Sequence, residues 1–138
     1  MGQHIRELMT PNPSTVHAKS TVVDAAQLMK QIDAGVVPVT ENGRLTGMVT
    51  DRDIAIRVVA EGKDPGSTTV GEVASTNLVT IDPQQDLDEA LRLMAQHKVR
   101  RLPVVEEDGR LVGVVAQADV AREGDDTQTG QVVQEISE

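Results

Sequence analysis

The sequence predicts an α+β fold in which two β-α-β-β-α repeats pack on one another by pseudo-two-fold symmetry. Three observations carry this. Val36–Asp53, VVPVTENGRLTGMVTDRD, is restated by Arg101–Asp119, RLPVVEEDGRLVGVVAQAD, at an offset of 65 residues that becomes 66 after one insertion in the turn. The match runs upstream, where Asp24–Gln31 (DAAQLMKQ) aligns with Glu89–Gln96 (EALRLMAQ). A half of roughly 60 residues buries only about 60% of its unfolded surface and is marginal alone, so the halves are expected to share a core. Two units do not make a solenoid, and the duplication reads as one module folded against itself.

Each element has its own signal. A short strand opens each copy, at Thr15–Val16 and Leu78–Ile81. The first helix is announced by a capping side chain three residues before an acid, Thr21 with Asp24 and Asp86 with Glu89. Apolar residues then recur at helical spacing: Val22, Ala25, Ala26 and Met29 in one copy, Leu87, Ala90, Leu91 and Met94 in the other. These helices are expected to end near Asp33 and Lys98. Valine-rich strands follow at Val36–Thr40 and Arg101–Val105, each carrying a proline, which belongs at a strand start or an edge because it donates no ladder bond. Asn42-Gly43 and Asp108-Gly109 are strong hairpin signals leading to Leu45–Val49 and Leu111–Val115. Second helices are expected over 51–60 and 117–122. The resulting organisation is repeat 1 over residues 1–66, repeat 2 over 67–124 and a polar tail over 125–138. Within that tail, Val132, Val133 and Ile136 form one weak apolar turn.

Composition narrows the function. The 138 residues contain no Phe, Tyr or Trp, so the core is aliphatic and no aromatic platform exists for stacking single-stranded nucleic acid. A net charge of −9 argues against binding a phosphate backbone. No apolar run approaches the roughly 20 residues of a membrane span, and MGQHIREL lacks a signal-peptide pattern. A cytoplasmic protein with neither nucleic-acid nor membrane partner is expected. With no cysteine, disulfides, thiolate metal sites and thiol nucleophiles are excluded. His4, His17 and His97 share no metal-ligand spacing, and no nucleophile–base pair suggests an enzyme.

The strand-to-helix junction Gly47–Asp53 is the place for chemistry. Thr50 and Asp53 lie three residues apart at a helix start, where free N–H groups and the dipole favour an anion. A hydroxyl there can share a phosphate, and a carboxylate can accept from two sugar hydroxyls. The same two residues equally form an N-cap and its capping-box partner, so both readings stand. Asp51 and Asp53 read as paired magnesium ligands only with a substrate phosphate present.

Two copies of apolar-Pro-Val-Val, then acid-turn-Gly-Arg-Leu-x-Gly, then Val-Thr-x-x-Asp resemble a tandem of CBS (cystathionine-β-synthase) domains over about residues 5–124. DRDIAIR, AEGKDP, VGEVA and VRRLPVV more narrowly resemble stand-alone proteins of the hypoxic response type. The resemblance implies a disc-like Bateman module with clefts between the repeats that bind AMP, ADP, ATP or S-adenosylmethionine. It implies adenine beside Ser14, Gly35, Val36 and Met48, with phosphate and ribose on Thr50 and Asp53. It also implies that Arg100 and Arg101, suited to forked phosphate contact, reach that phosphate; the alternative is that they bind Glu106 or Glu107. The second site, Val79, Val99, Val114 and Asp119, departs from the pattern because Ala116 replaces the hydroxyl. One competent cleft and one weak cleft are therefore expected. The resemblance further implies a homodimer joined through the apolar flanks of Val22–Met29 and Leu87–Met94, acting on an unidentified protein partner. The expected function is a non-enzymatic sensor of an adenosine ligand that needs no cofactor. The alternative is a structural or interaction protein without nucleotide.

Overall fold

Capping decides where the helices begin. In the computed structural model, which describes residues 3–123, the Thr21 hydroxyl accepts from the Asp24 N–H (3.2 Å) and the Asp86 carboxylate from the Glu89 N–H (3.0 Å). These caps start α2 (Val22–Ile32) and α5 (Leu87–His97). Both helices end on a left-handed residue, Asp33 (φ 55°) and Lys98 (φ 56°), and the next N–H bonds back to Met29 and Met94. That is the Schellman stop, made here without glycine.

The chain divides into two units: residues 14–78, and residues 3–13 together with 79–123. In the first, β2 (Val16–His17) pairs in parallel with β3 (Val36–Glu41), which pairs antiparallel with β4 (Arg44–Thr50), giving the order β2-β3-β4. Its core joins Val22, Ala25 and Met29 of α2 to Val37, Val39 and Val49 of the sheet. Also buried there are Val58, from a π-helical turn (Ala55–Val59) that continues α3 (Asp51–Ile54), and Val70 and Val73 of α4 (Val70–Val73).

The second unit keeps the hairpin and places its short strand on the hairpin's other edge. Its sheet runs β1-β6-β5, with β5 (Arg101–Val105) and β6 (Leu111–Ala116) forming the hairpin and β1 (Thr10–Pro11) pairing to β6. Leu102, Val104 and Val115 meet Ala90, Leu91 and Met94 of α5, Val120 of α6 (Gln117–Glu123), and Ile5 and Leu8 of α1 (Ile5–Leu8). Among the described residues the buried apolar side chains thus form two clusters, one within each unit.

The division cuts across the expected boundary at 66/67. Residues 3–13 sit with 79–123, whereas α4 and Ser75 sit with 14–69. The two exchanged segments match at the same offset, Ile5-Arg-Glu-Leu-Met-Thr10 with Val70-Gly-Glu-Val-Ala-Ser75. Each lays a short helix on a core and then crosses a glycine of the sheet. Thr10 opposes Val114 beside Gly113, and Ser75 bridges Met48 beside Gly47.

Several sequence expectations need correction. Ala26 is exposed, because the apolar stripe of α2 is only as wide as Val22, Ala25 and Met29. Most of the flanks 22–29 and 87–94 expected at a dimer face are spent on their own cores; among the described residues the exposed large apolar ones are Ile32, Ile56 and Val59. β3 is a central strand, yet Pro38 is tolerated there. β2 reaches only Val39 and Thr40, and Met48 opposite Pro38 gives both its N–H and its C=O to Ser75, so no ladder bond is lost. Residues 78–80 form no strand; Ile81 alone bridges Val104. Finally, the insertion changes the turn. Asn42 (φ 54°) and Gly43 (φ 80°) make a two-residue turn with both φ positive, while 106–110 is longer, with Gly109 alone left-handed (φ 93°). The expected tail 125–138, with Val132, Val133 and Ile136, lies outside the described residues.

Candidate functional site

In both units the last residue of the hairpin becomes the cap of the next helix. Thr50 ends β4 in extended conformation and its hydroxyl accepts from the Asp53 N–H at 3.0 Å, while Asp53 Oδ2 accepts from the Thr50 N–H at 3.0 Å. The capping box is therefore present. It also positions the chemistry: the Thr50 hydroxyl keeps its hydrogen to donate, and Asp53 Oδ1 lies 3.9 Å from Arg57 Nε. Both residues are half-buried.

The sheet gathers other expected residues around this junction. Val36 is the register partner of Thr50, and Met48 that of Pro38. Antiparallel partners project to one face, so Val36, Pro38, Met48 and Thr50 share the face opposite the core residues Val37, Val39 and Val49. The Gly35 carbonyl accepts from the Asp51 N–H at 2.9 Å, and a Cβ on Gly35 would meet Asp51 Oδ2 at 3.0 Å. Ser14 lies exposed, two residues before β2. All six residues, Ser14, Gly35, Val36, Met48, Thr50 and Asp53, fall in the unit 14–78.

The equivalent junction of the other unit keeps the frame and changes the groups. Arg101 opposes Ala116 and Pro103 opposes Val114. The Gln117 N–H donates to the Arg100 carbonyl (2.7 Å), and the Ala116 N–H to Asp119 Oδ2 (2.9 Å). Val79 and Val99 are half-buried and pack against the core of this unit, so part of their surface is already used. Arg100 and Arg101 are exposed and belong to this unit, not to that of Thr50. Among the described residues neither enters an ion pair, and Glu106 pairs instead with Arg6 at 3.1 Å. Also among the described residues, no group of three or more His, Asp or Glu is placed to hold a metal ion, and no helix is long and apolar enough to cross a membrane.

Sequence reasoning missed Thr10 and Ser75, whose backbones run beside Val114 and Met48. The signal for them was the offset of 65 continued back to Ile5 and Val70.

That extended repeat is what a family model also matches: the CBS domain, over residues 5–60 and 70–126. The chain belongs to the CBS domain family. It is 50% identical over 117 residues to the CBS domain-containing protein YhcV of Bacillus subtilis, a match covering 85% of this chain and 82% of that one. It is 42% identical over 118 residues to hypoxic response protein 1 of Mycobacterium tuberculosis, with the same two coverages. Among solved structures, hypoxic response protein I with two coordinated zinc ions superposes with a TM-score of 0.79 at 40% identity, covering 88% of this chain and 98% of that one. CBSX2 in complex with AMP superposes with a TM-score of 0.76 at 27% identity, covering 88% and 96%. The two CBS repeats thus have relatives of their own length.

Proposed function

We propose that this CBS protein is a non-enzymatic regulatory module that senses an adenosine-containing ligand of the AMP, ADP or ATP class. The observation that carries the reading is the Thr50–Asp53 junction. Its capping box fixes both side chains, the hydroxyl keeping its hydrogen for phosphate and Asp53 Oδ1, which Arg57 faces at 3.9 Å, being the oxygen offered to ribose. Ser14, Gly35, Val36 and Met48, all of the same unit as Thr50, frame the base. The AMP complex of CBSX2, at 27% identity, supports the ligand class. The module acts in the cytoplasm as a homodimer upon a separate protein partner, and the exposed Ile32, Ile56 and Val59 favour self-association.

A true ligand raises the melting temperature by mass action. AMP, ADP, ATP and S-adenosylmethionine at millimolar concentration are the probes, with calorimetry to verify any shift. A shift that Asp53→Ala abolishes supports the reading, and no shift with any of them sinks it. Light scattering gives the assembly state. A second reading, a ligand-free interaction protein, is favoured by one observation: Thr50 and Asp53 already satisfy each other's backbone. It predicts no thermal shift and a loss of stability alone on Thr50→Ala.

A further inference from the structure

We propose that Arg57 is a positioning residue for Asp53 and ties a ligand held by that carboxylate to the segment of residues 70–75. The proposal rests on the adenosine-ligand reading above and adds to it the route by which occupancy is passed on.

Arg57 stands between two acceptors. Its Nη1 donates to the Val73 carbonyl at 3.1 Å, and its Nε lies 3.9 Å from Asp53 Oδ1. The first is a hydrogen bond; the second lies beyond hydrogen-bond reach and acts through charge. That difference matters at Asp53. Its Oδ2 is taken by the Thr50 N–H, and the guanidinium steadies the carboxylate from the Oδ1 side without occupying that oxygen's lone pairs. A side chain held this way loses less freedom when a ribose binds. The Asp53 side chain is 16% exposed and that of Arg57 52%, so the acid is sheltered and its cation is at the surface.

The other acceptor is an orphan. α4 ends at Val73, and the last carbonyls of a helix have no partner within it. Arg57 supplies one from 16 residues away. Two residues on, the Ser75 N–H donates to the Met48 carbonyl at 2.8 Å, and the Met48 N–H to the Ser75 carbonyl at 3.0 Å. One side chain therefore connects the carboxylate of the proposed ribose contact to the segment that pairs with Met48 of the proposed base contact. Arg57 lies in the π-helical turn Ala55–Val59, a rare form frequent at functional sites. Its neighbour Val58 is fully buried and anchors the turn in the core. At the offset of 66, the position matching Arg57 is Glu123, a carboxylate with no donor to give. The link is thus written into one repeat only. Residue 79 begins the other unit, so the segment Arg57 holds is the stretch of chain leading out of this one. Coupling between two ends is reciprocal: a ligand that fixes Asp53 steadies residues 73–75, and loss of Arg57 weakens the ligand.

Amide hydrogen exchange and titration calorimetry of the full chain with AMP test this, using wild type, Arg57→Gln, Asp53→Asn and the double variant. The reporters are the Ala74 and Ser75 amides, bonded to the Val70 and Met48 carbonyls; unchanged protection in α2 is the folding control. AMP should raise protection at both amides in wild type and not in Arg57→Gln. That variant should bind AMP about fivefold more weakly, a small loss because the ion pair is half-exposed. Without ligand, Asp53→Asn should lower protection at Ala74 and Ser75 in wild type but not on the Arg57→Gln background. Arg57→Lys keeps the charge and loses the fork; it should retain most of the AMP affinity and lose the rise in protection. An Arg57 that only caps α4 predicts wild-type AMP affinity in Arg57→Gln and no effect of Asp53→Asn on the two amides. Either result overturns the proposal and leaves the proposed function standing, whereas failure of wild type to bind AMP removes both.

Discussion

Gly47 and Gly113 are one residue repeated, and both are required for the same reason. A Cβ at Gly47 would lie 3.0 Å from the Ser75 carbonyl oxygen. One at Gly113 would lie 2.9 Å from the Thr10 carbonyl oxygen and collide with the Met9 side chain. Met9 can swing away, but the Thr10 backbone is held by its pairing to Val114. Gly113→Ala is therefore expected to destabilise by about 1–3 kcal/mol, the usual cost of overpacking, read as a lower urea midpoint. The mirrored residue Gly47→Ala should behave alike. The contrast with Gly43 is instructive, since no atom lies within 4 Å of a Cβ there; its φ of 80° alone calls for glycine.

At the scale of elements, the short helices α1 and α4 carry more than their four residues suggest. Ile5 is fully buried in the core of 79–123 although it lies at the other end of the chain. Ile5→Ala should cost about 2–5 kcal/mol and reduce hydrogen-exchange protection in β5 and β6 while sparing β3 and β4. Ile32→Ala, on a residue 40% exposed, is the control and should stay within about 0.5 kcal/mol. α4 adds a pH dependence. The Glu72 carboxylate accepts from the Thr69 N–H and hydroxyl, both at 2.9 Å, and the backbone bond chiefly holds its pKa below the ordinary carboxylate value. Glu89 is lowered likewise, first by its bond to Arg92. A depressed folded-state pKa gives stability that is full above the unfolded-state pKa and lost as pH falls through the folded one. Glu72→Gln should therefore flatten the acid limb of a stability-against-pH curve. An unchanged limb would show that the cap contributes nothing to acid sensitivity.

For the whole molecule, the exchange of end segments sets which pieces can fold. Every buried residue of the first core, Val16 to Val73, lies within 14–78. Residues 1–66 lack Val70 and Val73 and carry Ile5 and Leu8 away from the core they fill. Two fragments of nearly equal length should thus differ. Residues 14–78 are expected to give the more cooperative thermal transition by circular dichroism, and 1–66 the weaker. Equal melts would mean that α4 adds little to the first core. Either fragment is small enough to be marginal, so the comparison rather than the absolute midpoint carries the test.

Local chemistry was legible without coordinates. The caps at Thr21 and Asp86, the stops at Asp33 and Lys98, the turns of both hairpins and the pairing of Thr50 with Asp53 follow from contacts within three to five residues along the chain. Such contacts depend on spacing, which a sequence states directly, and the duplication itself is a matter of comparing letters. Tertiary structure alone decided what spans long separations: that residues 3–13 complete the core of 79–123, that Pro38 sits in a central strand without losing a bond, and that Arg101 stands opposite Ala116. The reason is physical. A cross-strand partner is selected by register, and a borrowed helix by burial across about 70 residues of chain; neither quantity is written at any one position.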